Sequence, residues 1–140
     1  MKIYLRDIKL NDIDFLFNLY NSRDPKDILT PIKYEEQENF IKKFLADDIS
    51  HPYINWKIIE LKDVPIGSIT LSKCNNELGY WLIKEFQGKG IGPESVTKFM
   101  NLCKKGYYTA LVRPENYAST SLIRKLGFDL THHRYTIKIS

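Results

Sequence analysis

The run Gln87-Gly88-Lys89-Gly90-Ile91-Gly92-Pro93 constrains this chain more than any other stretch. It follows a strand-like segment, Glu77-Leu78-Gly79-Tyr80-Trp81-Leu82-Ile83, and precedes a helix-like one from Pro93 to Lys104. In that second segment Val96, Phe99, Met100 and Cys103 recur at helical spacing on one face. Three glycines in five residues leave backbone amides uncovered and open to close approach by a ligand. Pro93 suits the first helical position, and Gly106 is placed to end the helix. A further strand, 107–112, follows, so the unit reads as two parallel strands joined by a right-handed crossover. A helix N-terminus behind a glycine-rich turn joins unpaired N–H donors to the positive end of the dipole, which suits an anion. Lys89 adds charge for phosphate; the plain alternative is a tight turn that binds nothing.

The remaining elements fall around that unit. Residues 2–8 read as a strand, and Asn11 or Asp12 caps a helix with Ile13, Leu16, Phe17 and Tyr20 on one face. The stretch between Pro25 and Pro31 reads as a loop. A second helix is expected from Tyr34 to Asp47, burying Phe40, Ile41, Phe44 and Leu45. Segments 54–61 and 65–72 flank Lys62-Asp63-Val64 as a hairpin. Asn116 starts a helix with Ser119, Leu122, Ile123 and Leu126 on one face, ended by Gly127. Phe128 to Thr131 and Arg134 to Ile139 are expected as two closing strands. The order β-α-α-β-β-β-α-β-α-β-β predicts an α/β fold. Its sheet is mixed and mostly antiparallel, with a central parallel β-α-β crossover and helices on both faces.

Which phosphate ligand fits is narrowed by spacing. A dinucleotide fingerprint needs Gly-x-Gly-x-x-Gly, and here Glu94 and Ser95 stand where the third glycine would fall. A P-loop needs Lys-Ser/Thr after its last glycine, whereas Gly88-Lys89 runs into Gly90. The 140 residues argue for one domain over 1–140, and a net charge of +4 suits a phosphate-bearing ligand but not a nucleic-acid binder. No apolar run reaches the roughly 20 residues of a membrane span, and the charged start lacks a secretory h-region. Cys74 and Cys103 form no Cys-x-x-Cys, which points to a reducing cytoplasm. His51, His132 and His133 offer no metal-ligand spacing.

Gln87-x-x-Gly90-x-Gly92 resembles the Q/R-x-x-G-x-G/A motif of the GNAT superfamily of acetyl-coenzyme A-dependent N-acetyltransferases. Glu77 to Leu82 looks like the strand before that motif. Val112-Arg113-Pro114-Glu115-Asn116-x-x-Ser119, with Leu126-Gly127-Phe128, looks like the family's second block. Leu5-Arg6 and the helix after it are similar to its opening, so the likeness covers nearly the whole chain. Within the superfamily the likeness is to the branch holding ribosomal-protein N-terminal acetyltransferases and their small-molecule relatives.

The resemblance implies the GNAT fold and direct transfer of acetyl from acetyl-coenzyme A to an amine, either a peptide N-terminus or a small molecule, without a metal. It places the coenzyme on Trp81, Leu82, Ile83, Gln87, Gly88, Lys89, Gly90, Ile91 and Gly92, and on Asn116 and Ser119. Attack requires a neutral amine, so a base must take a proton and a donor must stabilise the leaving thiolate. Glu77 is the candidate base, through water, and equally reads as an exposed strand-end carboxylate. Ser119 is the candidate donor to sulfur, its other reading being a small residue at a helix–sheet contact; Tyr117 is in reserve. Many members carry a tyrosine as proton donor where this chain has Ile123, so that role does not transfer. Two alternatives stand beside this reading: a longer acyl donor, and a non-catalytic acetyl-coenzyme A sensor on the same fold. No nucleic-acid or membrane partner is expected, and exposed strand edges allow a homodimer.

Overall fold

The computed structural model describes residues 2–23, 32–137 and 139, so the loop expected between Pro25 and Pro31 lies outside the described residues. Five strands form one sheet in the order β1 (Ile3–Asp7), β2 (Tyr53–Leu61), β3 (Val64–Ser72), β4 (Glu77–Leu82), β5 (Thr109–Ala110). Neighbours are antiparallel except the last pair, which is parallel. Four α-helices accompany it, α1 (Ile13–Asn21), α2 (Tyr34–Leu45), α3 (Ile91–Cys103) and α4 (Tyr117–Lys125), with short 3₁₀ turns at Leu10–Asp12 and Lys84–Phe86. The mixed sheet with helices on both faces is as the sequence predicts.

Side chains alternate across a strand, so adjacent β2 residues feed different cores. Ile58 joins Ile8, Ile13, Leu16, Ile41 and Trp56 beneath α1 and α2. Ile59 joins Ile3, Ile66, Ile91, Phe99 and Leu122 beneath α3 and α4. Asp12 ties the entry of α1 to the sheet. Arg6 donates to both Asp12 oxygens at 2.8 and 2.9 Å and to Glu60 at 2.8 Å. Burial alone would raise the Asp12 carboxyl, but hydrogen bonds from Arg6 and the Lys9 N–H hold it below the usual carboxylate range.

Several boundaries differ from expectation for physical reasons. The α2 stripe begins a turn early, with Gln37 and Ile41 buried between half-buried Phe40 and Phe44, leaving Leu45 45% exposed. The β2–β3 turn uses only Lys62 and Asp63, both at positive φ (52° and 63°), the pairing of a tight type I′ hairpin. Helix α3 opens at Ile91, making Pro93 its third residue rather than its first. It closes at Lys104, φ 52°, two residues before Gly106. The Tyr108 hydroxyl seals that end, accepting from the Lys105 N–H at 3.0 Å and donating to the Met100 carbonyl at 2.9 Å.

Expected strand 107–112 shrinks to Thr109–Ala110, because β5 pairs with β4 only at Glu77↔Thr109 and Leu78↔Ala110. The two closing strands expected after Phe128 do not form among the described residues, where no neighbouring strand meets them. Leu130, Tyr135, Ile137 and Ile139 there are exposed.

Candidate functional site

The two-residue pairing of β4 and β5 makes the site. Beyond Leu78 and Ala110 the strands part, and no strand lies beside that edge of β4 among the described residues. A cleft of about 500 Å³ fills the gap. One wall carries Glu77, Gly79, Tyr80 and Trp81 from β4; the other carries Leu111, Val112 and Arg113 after β5 and Asn116, Ser119 and Ile123 at α4. Glu77 sits at the closed vertex. Leu82 is five residues further, about 17 Å along the strand at 3.3–3.4 Å per residue.

The glycine-rich turn follows β4 through a short 3₁₀ turn, Lys84–Phe86. Gly88 (φ 73°) and Gly90 (φ 80°) hold left-handed conformations, and a Cβ on either would meet only open space. They are required by conformation rather than by crowding. Gly90 caps α3, so the amides of Gly90, Ile91 and Gly92 begin the helix without intrahelical partners, and Pro93 has none to satisfy. Gly92 is required by contact: a Cβ there would lie 2.9 Å from Leu122 Cδ1 and 3.2 Å from the Tyr80 hydroxyl oxygen. The glycine lets α3 close on β4 and α4 together.

Other residues expected in the site fall around the turn. Gln87 donates from Nε2 to the Leu82 carbonyl at 3.0 Å, fastening the turn to the end of β4. The Ile83 N–H is spent on the Ile66 carbonyl at 2.9 Å. Lys89 is exposed, its ammonium 5.6 Å from the Phe86 ring centroid. Asn116 caps α4, its Oδ1 accepting from the Ser119 N–H at 3.1 Å. That fixes Ser119 in the first turn, half-buried in the cleft, while Tyr117 is 79% exposed. The structure therefore brings Glu77, Trp81, Asn116 and Ser119 to one cleft, and places residues 87–92 at the start of the helix beside it.

Tyr80 and Arg23 were not singled out as site residues by the sequence. Burial pushes the Tyr80 phenol up, and a side-chain hydrogen bond with Ser119 offsets part of that rise. Tyr80 thus puts a protonated hydroxyl on the cleft wall that faces Ser119 and Ile123. A second cavity, about 230 Å³, opens beside the cleft under α1 and α2. Tyr20, Phe40, Tyr53, Trp56 and Trp81 give its wall an aromatic share beside the polar Gln37, Ser68 and Thr70, and Arg23 borders both cavities. No local pattern in the sequence ties these residues together, since they come from α1, α2, β2, β3 and β4.

His51 is buried in the aromatic cluster, while His132 and His133 are exposed. No group of three or more His, Cys, Asp or Glu able to hold a metal occurs among the described residues. Cys74 is exposed and Cys103 half-buried; burial pushes the Cys103 thiol up. No helix among the described residues is long and apolar enough to cross a membrane.

Residues 2–129 match the acetyltransferase (GNAT) domain family. No curated protein sequence matches the chain. Among solved structures, a chimera of the Vibrio cholerae spermidine N-acetyltransferase SpeG and hSSAT superposes with a TM-score of 0.83 at 19% identity, covering 99% of this chain and 89% of that one. RimL, a ribosomal alpha-N-protein acetyltransferase in complex with coenzyme A, gives 0.74 at 20% identity, with 94% and 82% covered. The structure of yncA from Salmonella typhimurium with its cofactor acetyl-CoA gives 0.73 at 17% identity, again with 94% and 82% covered. At these identities the likeness carries the fold.

Proposed function

The chain belongs to the GNAT acetyltransferase domain family, and on that premise we propose that it is a single-domain N-acetyltransferase moving acetyl from acetyl-coenzyme A directly to an amine. The observation that carries the reading is the parting of β4 from β5, which leaves a cleft with Glu77 and Ser119 on its walls beside the start of α3, whose Gly90 cap brings no side-chain acceptor to the first amides. The pyrophosphate lies on the amides of Gly90, Ile91 and Gly92, with Lys89 adding charge. The pantetheine arm runs along the open edge of β4 past Trp81, and the thioester reaches Ser119 and Asn116. Two of the structural neighbours hold coenzyme A or acetyl-CoA, which supports this assignment.

Chemistry follows from these positions. The neutral amine attacks the thioester carbonyl carbon, the C–N bond forms and the C–S bond breaks. The amine proton passes to Glu77 through water. Sulfur leaves as thiolate, and the Ser119 hydroxyl donates a hydrogen bond as the charge develops. A sensor that binds without turnover is the second reading, favoured by Ile123 on the cleft wall.

Calorimetric titration with acetyl-coenzyme A tests the site. Micromolar binding is expected, and Gly90→Glu should abolish it by setting a carboxylate against the phosphates. Release of free thiol with an amine present then separates enzyme from sensor. No binding by folded protein overturns both readings.

A further inference from the structure

We infer that the acceptor is a small primary amine carrying a carboxylate on an apolar body, of the kind an apolar α-amino acid provides, rather than a polyamine. This rests on the acetyl-transfer reading above, and the argument starts from Arg23. Its guanidinium carbon stands 4.2 Å from the Tyr20 ring centroid and 4.8 Å from that of Trp81, clasped between two aromatic faces. Its Nε is buried with no hydrogen-bond partner, and among the described residues no carboxylate pairs with it. An unmatched buried donor on a fixed guanidinium calls for an acceptor, and a planar fork of N–H groups matches a carboxylate best.

The surroundings set the rest of the ligand. The cavity of about 230 Å³ beside Arg23 is lined by Leu16, Leu19, Phe40, Trp56 and Trp81, with no acidic side chain among the described residues of its wall. It lies just under the range of about 300–1,000 Å³ usual for small-molecule sites, so it admits one compact apolar side chain. On the other side of Arg23 is the cleft with Glu77. A carboxylate on Arg23 and a side chain in the aromatic cavity leave the neighbouring amine facing that cleft.

A polyamine meets the opposite conditions. The Tyr20 and Trp81 ring faces are already occupied by Arg23, whose charge repels a second cation. Among the described residues the aromatic cavity supplies no counter-charge.

The test is thiol release from acetyl-coenzyme A with L-phenylalanine, L-leucine, their carboxamides and spermidine as acceptors. The carboxamides are the sharper control, because their amines are less basic and intrinsically readier to attack. The acids should exceed the amides in kcat/KM by roughly 10- to 100-fold, the worth of a hydrogen-bonded charge pair. Arg23→Met should erase that preference, Arg23→Lys should restore part of it, and acetyl-coenzyme A affinity should hold in both. L-phenylalanine should also perturb tryptophan fluorescence in the presence of coenzyme A, through Trp56 and Trp81, without any turnover. Turnover of spermidine or the amides equal to or above that of the acids overturns this inference and leaves acetyl transfer standing. Absence of acetyl-coenzyme A binding overturns both.

Discussion

Glu77 and Ser119 stand on different walls of one cleft, and their proposed roles predict different failures. Removing a donor aimed at developing charge costs about 10²–10³-fold in kcat, so Ser119→Ala should lose on that order while acetyl-coenzyme A affinity stays nearly constant. Glu77→Gln should lose about 10²–10⁴-fold near neutral pH. Its deficit should shrink as pH rises toward the amine's own pKa, about 8 for an α-amine and 10.4 for a lysine-type one, because solvent then supplies neutral amine. A pH–rate profile of the variant checks this, and an unchanged deficit at high pH would remove Glu77 from the base role. Both residues are visible in the sequence because local motifs contain them. Arg23 and Tyr53 are not: one follows the end of α1 and the other opens β2, and only the packing of α1, β2 and β4 brings them to the same cavities.

At the scale of elements, the junction of α2 with β2 turns on His51. Its Nε2 donates to the Phe40 carbonyl at 3.1 Å and its Nδ1 accepts from the Tyr53 N–H, also at 3.1 Å. That pattern demands the neutral Nε2–H tautomer, since a proton on Nδ1 would point at another donor. Burial pushes the imidazole below its ordinary value of about 6.5, although the Phe40 carbonyl works the other way. The unfolded chain therefore binds the proton first. The stability that neutral His51 contributes is complete above about pH 6.5 and is lost as pH falls toward its lower folded value. Urea midpoints should decline between pH 7 and 5, and His51→Gln should flatten the slope. The lowered carboxyls Asp7, Asp12 and Asp48 lose their contribution only as pH falls below about 3.9, so the two windows separate.

Elements were legible wherever their pattern was local. The amphipathic faces of α1 and α3, the β2–β3 hairpin and the Asn116 cap all follow from nearby residues. Extent was not legible where it depends on a partner strand. The run 107–112 and the alternating Tyr135, Ile137 and Ile139 carry strand-like patterns, yet a strand exists only where a ladder meets it, and β4 offers β5 just two positions.

For the molecule as a whole, that short ladder makes the cleft and also weakens the fold there. Contacts concentrate in β1 to β4, whereas β5 and α4 are joined to that body by two strand pairs, by the Gly92–Leu122–Tyr80 contact and by the Asn76 and Thr109 hydrogen bonds. A ligand held between Trp81 on one wall and Ser119 on the other ties the two parts together. Binding to the folded state alone stabilises by mass action, about 2.7 kcal/mol at a hundredfold excess over Kd, which for a chain of this size is on the order of 10 °C in Tm. Acetyl-coenzyme A should raise Tm accordingly, and amide exchange should slow most at residues 109–123 and least in β2 and β3, which are ordered already. Gly90→Glu should start from a lower Tm, because a side chain at φ 80° is strained, and should show neither the rise nor the protection. Protection spread evenly over the sheet would place the ligand elsewhere than between β4 and α4.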